Sequence, residues 1–502
     1  MRITYVNHAC LFIELGGRKI VTDPWFDGPA YANQWHPFPK PVNAELVDQA
    51  DTILISHAHE DHLHEPTLRR LNPAKRVYYP FNWYDGTPDW LRSMGFAEVT
   101  EAVSCRTYDL GPGAKVTFIV NSHDSIMVLE DGREVVVNVN DALHSSEPLG
   151  IDAFTSYIKQ RWPRIDTVFC GFGGASYFPN TLHGPGKDDR AVAMLREQLF
   201  AQNFCRIIDR LSPLRAVPFA ADFALLGTEQ RWINEARFPR EELPRYFRQQ
   251  GGKADILVMY SGDRIDDGRF EASALLRDRL AAGNHDALLS EQYPVQVSAF
   301  AVARTVERAQ LDQLAARLQA NVEEHAAFYD ASRVRDLEFS VSLRDAVETT
   351  WLNVTLRDGR AQVARAEQPS ERAVAQIVTT ADVLGRCLDS EWGGDAIIIG
   401  YACDVYVTKH EDLINGRGRL CAELCVRHPR PRAYAMKHPL RVARFLAQTP
   451  FALGAQLKGK LRAMTGSGGR SVVNGSHWLA GDPAEIRRAC GLPDYAFGDA
   501  TR

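Results

Sequence analysis

Long apolar runs are scarce in this chain of 502 residues. No stretch of about 18 uninterrupted apolar residues occurs, so the sequence predicts no membrane-spanning helix. The opening residues, MRITYVNHACLFIEL, contain one arginine and alternate like a strand. They lack the basic start, the apolar run and the cleavage site of a secretion signal. These absences predict a cytoplasmic protein. The length, with 45% hydrophobic and 24% charged residues, is typical of a globular chain with two or three domains.

Cysteine and positive charge are also limited. The nine cysteines are widely scattered, which predicts reduced thiols and no disulfide framework. A net charge of −5 gives no broad basic surface and argues against nucleic acid as a partner. Cys421, Cys425 and His428 form C-x3-C-x2-H, which contains half of a Rieske iron–sulfur signature. The other half, C-x-H, occurs nowhere, and a [2Fe–2S] centre needs four ligands, so we expect no Rieske centre.

A histidine-rich cluster at residues 56–64 is the most informative motif of the sequence. It reads Ser-His-Ala-His-Glu-Asp-His-Leu-His and contains the pattern H-x-H-x-D-H. His57 and His59 are two residues apart and can bind one ion together, while Asp61 and His62 can face a second ion. Imidazole suits zinc, iron, manganese and cobalt, and an added carboxylate favours a harder or dinuclear site. The sequence therefore predicts a metal site.

Further ligands are expected where other strands end, because strand ends hold side chains rigidly. His123 and Asp124 follow the predicted strand Val116–Val120, and Asp141 follows the predicted strand Val135–Val139. Asp124 is an alternative to His123, and Asp141 could also be a turn residue. The predicted ligands are His57, His59 and His123 for the first ion, Asp61 and His62 for the second, and Asp141 as a bridge.

Three regions of the sequence differ in their pattern of apolar, turn-forming and charged residues. Residues 1–265 alternate short apolar runs with Gly and Pro turns, which predicts two packed sheets flanked by helices. Residues 266–415 combine a helical run with alternating strands, including an apolar strand predicted at Ala396–Gly400. Residues 416–502 are predicted to form a helical basic tail. The predicted strands of the first region are Ile3–Val6, Cys10–Glu14, Lys19–Thr22, Thr52–Ser56, Val77–Tyr79, Val116–Val120, Ser125–Leu129 and Glu134–Val139.

The motif and the later aspartate resemble the metallo-β-lactamase fold. Further blocks are similar to the CMP-N-acetylneuraminate hydroxylases. These blocks are Thr22-Asp23-Pro24-Trp25, Gly28-Pro29-Ala30 to Trp35, Ile55-Ser56-His57 to Pro66-Thr67-Leu68, Gly173-Gly174-Ala175-Ser176 with Phe178-Pro179, and Pro218-Phe219-Ala220. The resemblance covers about residues 2–265. It implies an α/β fold, the αββα metallo-β-lactamase sandwich, as a metal-binding catalytic domain with a second, smaller α+β C-terminal domain.

The resemblance also implies an iron-dependent oxygenase and roles for residues in the matching blocks. His8 and Asp23 are expected to orient metal-bound imidazoles, or to be structural hydrogen-bond partners. Trp35, Tyr177 and Phe178 are expected to line the substrate pocket, although core aromatics would give the same pattern. No residue is assigned a catalytic role beyond metal binding.

Two departures from the resembled families shape the functional hypothesis. This sequence has no counterpart of the hydroxylases' Rieske domain, and residues 215–222 contain no histidine where the superfamily closes its second metal site. Asp222, His64, His144 and His183 are candidate substitutes. Hydroxylation with O2 needs two electrons beyond those of the substrate. A diferrous pair stores two, so the leading hypothesis is a diiron monooxygenase that hydroxylates an organic metabolite and is recharged by an external electron donor.

Two other functions remain open. A zinc or manganese hydrolase would use a metal-bridging hydroxide to attack a lactone, an amide or a phosphodiester. A non-enzymatic carrier or scaffold would retain only a vestigial metal site. The intact H-x-H-x-D-H cluster argues against the carrier, and the missing late histidine argues against the hydrolase.

The C-terminal regions add two open interpretations. Residues about 335–410 resemble the sterol-carrier fold through Thr355-Leu356-Arg357-Asp358-Gly359, Thr379-Thr380-Ala381-Asp382-Val383-Leu384 and Gly393-Gly394-Asp395. That resemblance implies an apolar cavity and a hydrophobic or carrier-attached small-molecule substrate; dimerisation or covering of the active site is the alternative. The basic stretch Met436–Met464 predicts either peripheral membrane contact or a helix pair that packs on its own protein.

Overall fold

The computed structural model describes residues 1–82, 86–281, 285–295, 306–346, 350–390, 392–427, 435–448 and 471–495, together with residues 451 and 454. Its strands are β1 Arg2–Asn7, β2 Cys10–Leu15, β3 Arg18–Thr22, β4 Trp35–Pro37, β5 Thr52–Leu54, β6 Arg76–Pro80, β7 Val99–Ala102, β8 Thr107–Gly111, β9 Ala114–Asn121, β10 Asp124–Glu130, β11 Val135–Asn140, β12 Thr167–Gly171, β13 Leu182–His183, β14 Arg215–Phe219, β15 Phe223–Leu225, β16 Asp255–Ile256, β17 Arg264–Asp266, β18 Arg269–Glu271, β19 Leu337–Leu343, β20 Thr350–Arg357, β21 Arg360–Ala366, β22 Ala375–Thr379 and β23 Asp404–Val407. Its α-helices are α1 Glu65–Arg70, α2 Thr87–Ser93, α3 Pro148–Arg161, α4 Tyr177–Asn180, α5 Asp189–Leu211, α6 Trp232–Ala236, α7 Leu243–Gln249, α8 Ala274–Ala281, α9 His285–Gln292, α10 Arg308–Ala326, α11 Ala331–Val334, α12 Ala381–Asp389, α13 Asp395–Ile398, α14 His410–Ile414, α15 Arg417–Leu424, α16 Pro439–Gln448, α17 His477–Ala480 and α18 Pro483–Cys490.

Two large sheets face each other in the first half of the chain. Their strand orders are β18-β17-β1-β2-β3-β5-β6-β7 and β16-β14-β12-β11-β10-β9-β8. Successive side chains of a strand point to opposite faces. Leu11 and Ile13 of β2 therefore fill the core between the sheets, where they join Phe118 and Met127 of the second sheet. Phe12 points the other way, into the core beneath the outer helices.

Helices cover the outer face of each sheet. The core outside the first sheet contains apolar residues of α1 and α2, including Leu68 and Leu91. The core outside the second sheet contains residues of α3, α5 and α7, including Phe154, Phe204 and Phe247. Burying each such side chain contributes about 1.5–3 kcal/mol. The layers are therefore helix, sheet, sheet, helix, which confirms the predicted sandwich.

A smaller α+β unit follows, as predicted. Its sheet has the order β13-β23-β22-β19-β20-β21, and its core includes residues of α10, α12 and α15. Strand β13 comes from the first half of the chain and pairs in parallel with β23. The predicted boundaries at residues 265 and 415 stay predictions. The predicted strand at Ala396–Gly400 is wrong, because this run forms helix α13 and a turn, and the neighbouring strand is β23.

The C-terminal region has helices α15 to α18 among its described residues. Much of the basic stretch Met436–Met464, including residues 455–464, lies outside the described residues. Among the helices that the structure describes, none is long and apolar enough to cross a membrane.

A partly buried ion cluster ties β13 into the sheet of the smaller α+β unit. His183 Nδ1 lies 2.6 Å from Asp189 Oδ2, and its Nε2 lies 3.0 Å from Asp404 Oδ1. Burial alone would lower the pKa of His183, but the hydrogen bonds to the two carboxylates dominate and raise it to about 9. His183 is therefore protonated at neutral pH and donates to both carboxylates.

This cluster predicts a pH-dependent stability contribution. The folded-state pKa lies above the ordinary value of 6.5, so the contribution is fully present below about pH 6.5 and is lost as the pH rises through about 9. We expect His183→Gln to lower the free energy of unfolding near pH 6, and this deficit to shrink by up to about 3 kcal/mol near pH 10. Denaturant titration of both proteins at each pH measures the deficit, with His285→Gln as an exposed-histidine control. An equal deficit at both pH values would contradict the prediction.

Candidate metal centre

The candidate centre lies at one edge of the sandwich, where several strands end. His8 follows β1, Asp23 follows β3, and Asp141 follows β11. His57 lies three residues after the end of β5, and Asp124 is the first residue of β10. His8 and Asp23 adopt φ angles of 41° and 37°, in the left-handed region. Such backbone strain costs of order 1–3 kcal/mol for each residue and is kept where the surrounding structure requires it.

Asp23 is a fully buried carboxylate that receives several donors. Its Oδ1 accepts a hydrogen bond from the Ser56 backbone N–H at 2.7 Å. Its Oδ2 accepts from Ser56 Oγ at 2.8 Å, from Asn140 Nδ2 at 2.7 Å and from His62 Nδ1 at 3.2 Å. The carboxylate thus connects the loop after β3, the histidine loop and the end of β11.

These hydrogen bonds determine which nitrogens of the imidazoles carry protons. His62 Nδ1 must be protonated to donate to Asp23. Ser56 gives its only hydroxyl proton to Asp23, so it accepts from His57 Nδ1 at 2.8 Å. In its neutral form, each ring therefore directs an Nε2 lone pair away from Asp23. This arrangement suits cation binding, because neutral imidazole binds metals through such a lone pair.

The first group of converging ligand atoms comes from His57, His59 and Asp124, within 4.8 Å of one another. His57 Nε2 lies 2.8 Å from His59 Nδ1 and 3.8 Å from Asp124 Oδ1. Asp124 Oδ1 is buried and has no hydrogen-bond partner among the described residues. A cation between the three atoms would satisfy it.

His123, which the sequence predicts as a ligand, is not in this group. Adjacent residues point to opposite sides as β10 begins, so Asp124 faces His57 while His123 faces the second domain. The His123 ring lies 5.9 Å from the Trp392 ring, and its Nδ1 lies 3.4 Å from Asn82 Nδ2. The structure thus places the carboxylate of Asp124, the alternative to His123, beside His57 and His59.

His62 belongs to the other two groups of converging ligand atoms, one with His8 and Asp61 and one with His57 and Asp141. His62 Nε2 lies 3.3 Å from Asp61 Oδ2 and 3.4 Å from Asp141 Oδ2. It is buried and has no hydrogen-bond partner among the described residues. Burial alone would lower the pKa of His62, but the Asp61 and Asp141 carboxylates outweigh burial and raise it well above its usual value. The space between these groups therefore favours a positive charge, either a proton on Nε2 or a metal ion in its place. Asp141 also groups with His57 and His62, which places its carboxylate between the two ligand sets.

His8 lies beside Asp61, but its hydrogen bonds make it a donor. Its Nδ1 accepts from the Asp222 backbone N–H at 3.1 Å, so the proton of the neutral ring is on Nε2. Nε2 then donates to Asp61 Oδ2 at 2.8 Å. His8 thus holds the Asp61 carboxylate in place and has no free lone pair for an ion.

None of the candidate substitutes for the late histidine joins the three groups of converging ligand atoms found among the described residues. The Asp222 carboxylate contacts the Arg240 guanidinium and accepts from the His8 backbone N–H at 3.0 Å. His64 accepts from the backbone N–H of Thr67 at the start of α1. His144 Nδ1 lies 2.6 Å from the Asp141 carbonyl oxygen. His183 belongs to the cluster beside β13.

The electrostatics of the site also favour a cation. Burial lowers the pKa of His57 well below its usual value, and His62 and His59 lower it further. Burial would raise the pKa of Asp141, but His144 and His62 outweigh burial and lower it. Burial raises the pKa of Asp124. The pKa directions of His57 and Asp141 favour the neutral imidazole and the ionised carboxylate that metal ions require, whereas burial opposes ionisation of Asp124 until a cation lies beside it.

Three residues that sequence reasoning missed support the ligands. Ser56 and Asn140 bind Asp23, and Tyr31 donates its hydroxyl to Asp61 Oδ1 at 2.5 Å. Ser56 directly precedes His57, and Asn140 directly precedes Asp141. Their position in the sequence beside predicted ligands was therefore the available indication of their role. Tyr31 had no signal, because a loop of left-handed residues, φ 53° at Tyr31 itself, turns it back onto Asp61.

The three aromatic residues predicted to line a substrate pocket lie in two different places. The Trp35 ring is stacked on Phe223 with centroids 3.6 Å apart, and it lies 6.4 Å from the His8 ring. Tyr177 and Phe178 instead pack in the core of the second domain. Trp35 is therefore the predicted pocket residue that lies beside the candidate centre.

The second domain contributes to the surroundings of the centre. Trp392 contacts His123. Asp395, at the start of α13, lies close enough to His59 and Asp61 to interact with their charges, and burial raises the pKa of its carboxyl group. Gly400 lies so close to Tyr31 that an added Cβ would be 2.4 Å from the Tyr31 Cβ. The second domain thus packs directly on the residue that holds Asp61.

Comparison with known proteins agrees with this architecture. Residues 2–145 match the family described as Beta-lactamase superfamily domain. This match covers residues 2–145, and the two facing sheets with their outer helices have the layer order of the metallo-β-lactamase fold.

Several curated relatives of this part of the chain are named as hydroxylases. The chain is 47% identical over 249 residues to the cytidine monophosphate-N-acetylneuraminic acid hydroxylase of Gorilla gorilla gorilla, covering 47% of this chain and 40% of that protein. It is 30% identical over 243 residues to the protein of the same name from Danio rerio, covering 46% and 40%. The chain therefore spans less than half the length of these relatives.

Solved structures with a related arrangement include proteins of two descriptions. CmlA, a diiron beta-hydroxylase from Streptomyces venezuelae, is 22% identical, with a TM-score of 0.36 and 54% of each chain covered. Igni18, a metallo hydrolase from Ignicoccus hospitalis, is 18% identical, with a TM-score of 0.37 and coverage of 53% of this chain and 97% of that chain.

The hydrogen bonds of Asp23 predict a large effect on metal affinity. Asp23→Asn replaces an acceptor of several hydrogen bonds by an amide, so the imidazoles of His57 and His62 lose the group that fixes their protonation. We expect metal affinity to fall about 10- to 100-fold, as for other residues that orient metal ligands. Competition with a chromophoric chelator measures the affinity. Asp27→Asn, on the same loop but outside the network, is the control, and equal affinities of both variants would contradict the prediction.

A second prediction separates Asp124 from His123. If Asp124 binds the first ion, Asp124→Ala will lower the metal content by about one ion per chain, because two imidazoles and a shared carboxylate hold a metal weakly. His123→Ala will leave the metal content unchanged. Elemental analysis of both purified variants, compared with the wild-type protein, measures the content. Loss of metal from the His123 variant alone would restore the original assignment.

Proposed function

We propose that this chain is a metal-dependent hydroxylase that uses two iron ions and O2 to hydroxylate an organic metabolite. The observation that carries the proposal is the composition of the converging ligand set: three imidazoles, from His57, His59 and His62, and three carboxylates. The carboxylates belong to Asp61, Asp124 and Asp141. The similarity to curated proteins named as hydroxylases supports the same class of reaction.

The carboxylate of Asp124 favours iron over zinc in this proposal. Structural and hydrolytic zinc sites use mainly imidazole and thiolate ligands, whereas carboxylates suit harder ions. Three carboxylates together carry three negative charges. They therefore bind two metal ions more strongly as the positive charge of the ions increases. A ligand set of this kind therefore suits two ions that change oxidation state.

The chain's own residues would hold and orient the reacting partners. His57, His59 and Asp124 would bind one ion, Asp61 and His62 the other, and Asp141 both. Bound iron would supply the electron transfer to O2 that the protein's side chains cannot perform. His8 and Tyr31 hold the Asp61 carboxylate from two sides, which fixes the position of the second ion. The buried rings of Trp35 and Phe223 provide an apolar wall that excludes water.

The reaction needs an external source of electrons. One oxygen atom of O2 enters a C–H bond as a hydroxyl group, and the other leaves as water, which consumes two electrons and two protons. The substrate supplies the other two electrons through its C–H bond. An external reductant, for example a separate redox protein, is therefore part of the proposal. The substrate is proposed to be a small molecule, free or attached to a carrier.

A metal-dependent hydrolase is the second candidate, because residues 2–145 match the Beta-lactamase superfamily domain. In this case a hydroxide between two zinc or manganese ions would attack a lactone, an amide or a phosphodiester. The carboxylate at position 124 and the absence of a histidine from residues 215–222 weigh against this candidate.

Metal content and O2 use separate the two candidates. We expect protein produced without added zinc to contain about two iron ions per chain, and dithionite-reduced protein to consume O2 faster than its Asp141→Asn variant. Elemental analysis and an oxygen electrode make these measurements. Asp152→Asn, a surface carboxylate variant on α3, is the matched control. A colourless zinc protein that does not consume O2 and hydrolyses chromogenic lactones would support the hydrolase and overturn the hydroxylase.

A further inference from the structure

Tyr31 is a buried phenol that is bonded directly to a proposed iron ligand. Its hydroxyl donates to Asp61 Oδ1 at 2.5 Å, and the residue is 1% exposed. The other oxygen of Asp61, Oδ2, lies 3.3 Å from His62 Nε2, within a group of converging ligand atoms. A single carboxylate therefore connects the phenol to the place where the second ion would bind.

The ring of Tyr31 lies in a cluster of buried aromatic and aliphatic side chains. Its centroid is 4.8 Å from that of Trp35, which is itself stacked on Phe223. Tyr401 of the second domain belongs to the same cluster, and Gly400 packs on the Tyr31 side chain. Packing of this kind excludes water and dissolved reductants from the ring. A reactive species formed on Tyr31 is therefore protected from the solvent.

The hydrogen bond to Asp61 makes this phenol easier to oxidise than an isolated buried tyrosine. Loss of an electron alone would leave a positive charge on the ring, and an unpaired charge in a buried place is costly. If the proton moves to Asp61 Oδ1 as the electron leaves, the ring stays neutral. Tyr401 differs, because its hydroxyl accepts a hydrogen bond from the Asn180 amide at 3.0 Å and no carboxylate of the described residues accepts from it.

We propose that Tyr31 is a redox-active residue that gives one electron to the iron centre when O2 has reacted and no substrate is bound. This inference rests on the proposed diiron hydroxylase. The oxidant is the iron centre after its reaction with O2. The products are a neutral radical on the Tyr31 ring and a proton on Asp61 Oδ1, while the iron centre gains the electron.

The electrons and protons balance in this step. In hydroxylation, O2 takes two of its four electrons from the substrate C–H bond. Without substrate, O2 becomes two water molecules only when it receives four electrons and four protons. The two ions supply two electrons, Tyr31 supplies the third together with its phenolic proton, and the external reductant supplies the fourth; the remaining protons come from water. Tyr31 thus completes a turnover that would otherwise oxidise the ligand imidazoles, and a further electron and proton restore the phenol.

Electron paramagnetic resonance of the full chain tests the proposal. The protein is loaded with a small excess of Fe(II), which also supplies the external electron, and is then exposed to O2 without substrate and frozen. We expect the signal of a tyrosyl radical. Incorporation of 3-fluorotyrosine at position 31 should split this signal, because the fluorine nucleus couples to an unpaired electron on that ring alone. The same label at position 401 should leave the signal unsplit.

Matched variants make the result specific. Tyr31→Phe removes the hydroxyl but keeps the packed ring, and it should abolish the signal. Tyr401→Phe, in the same cluster, should retain it. Elemental analysis and thermal unfolding of each variant measure whether iron binding and folding are preserved. If Tyr31→Phe holds less iron, the fluorine-labelled protein decides, because it keeps the hydroxyl and its hydrogen bond to Asp61.

The outcomes separate this inference from the function on which it rests. Iron-loaded protein that consumes O2 without forming a tyrosyl radical would overturn the redox role of Tyr31 alone. A radical that is not split by the label at position 31 would overturn it as well. Protein that takes up no iron, or that holds iron and consumes no O2, would overturn the proposed hydroxylase and this inference together.

Discussion

The buried carboxylate of Asp23 is the group on which the centre depends. By accepting from Ser56 and His62, it fixes the protonation of two imidazoles at once, because Ser56 passes the constraint to His57. Without this acceptor, each ring could adopt either tautomer, and Nε2 would carry a proton in one of them. Asn140, at the end of β11 in the second sheet of the sandwich, donates a further hydrogen bond to Asp23. A single carboxylate thus joins both sheets and directs two lone pairs toward the same space.

The same logic explains the strained backbone at the sheet edge. A strand that ended in ordinary extended geometry would carry His8 or Asp23 past the centre. The left-handed φ values of 41° and 37° turn these side chains back over the strand ends. Their hydrogen bonds, made in a buried environment of low dielectric constant, offset the cost of the strain. Position, protonation and backbone conformation are therefore linked in this part of the molecule.

The sequence predicted the sandwich, and it predicted most of the residues whose ligand atoms converge, because these features leave local patterns. Strand alternation located β1, β2 and β3, and the spacing of His57, His59 and Asp61 follows from one loop. It could not decide between His123 and Asp124, since both lie at the same strand end and only the side-chain alternation of β10 separates them. The apolar run at 396–400 was wrongly predicted to be a strand. Short apolar runs are ambiguous, and here the packing of Gly400 against Tyr31 requires a tight turn.

The second domain takes part in the centre through Tyr31. One side of this residue meets Gly400 and the other reaches Asp61. Asp61 therefore has Tyr31 on Oδ1 and His8 on Oδ2, and His8 is held in turn by Asp222 and its partner Arg240. These outer contacts hold the Asp61 carboxylate in its position beside His62. The packing of the second domain and the position of the Asp61 carboxylate are therefore connected through a single side chain, that of Tyr31.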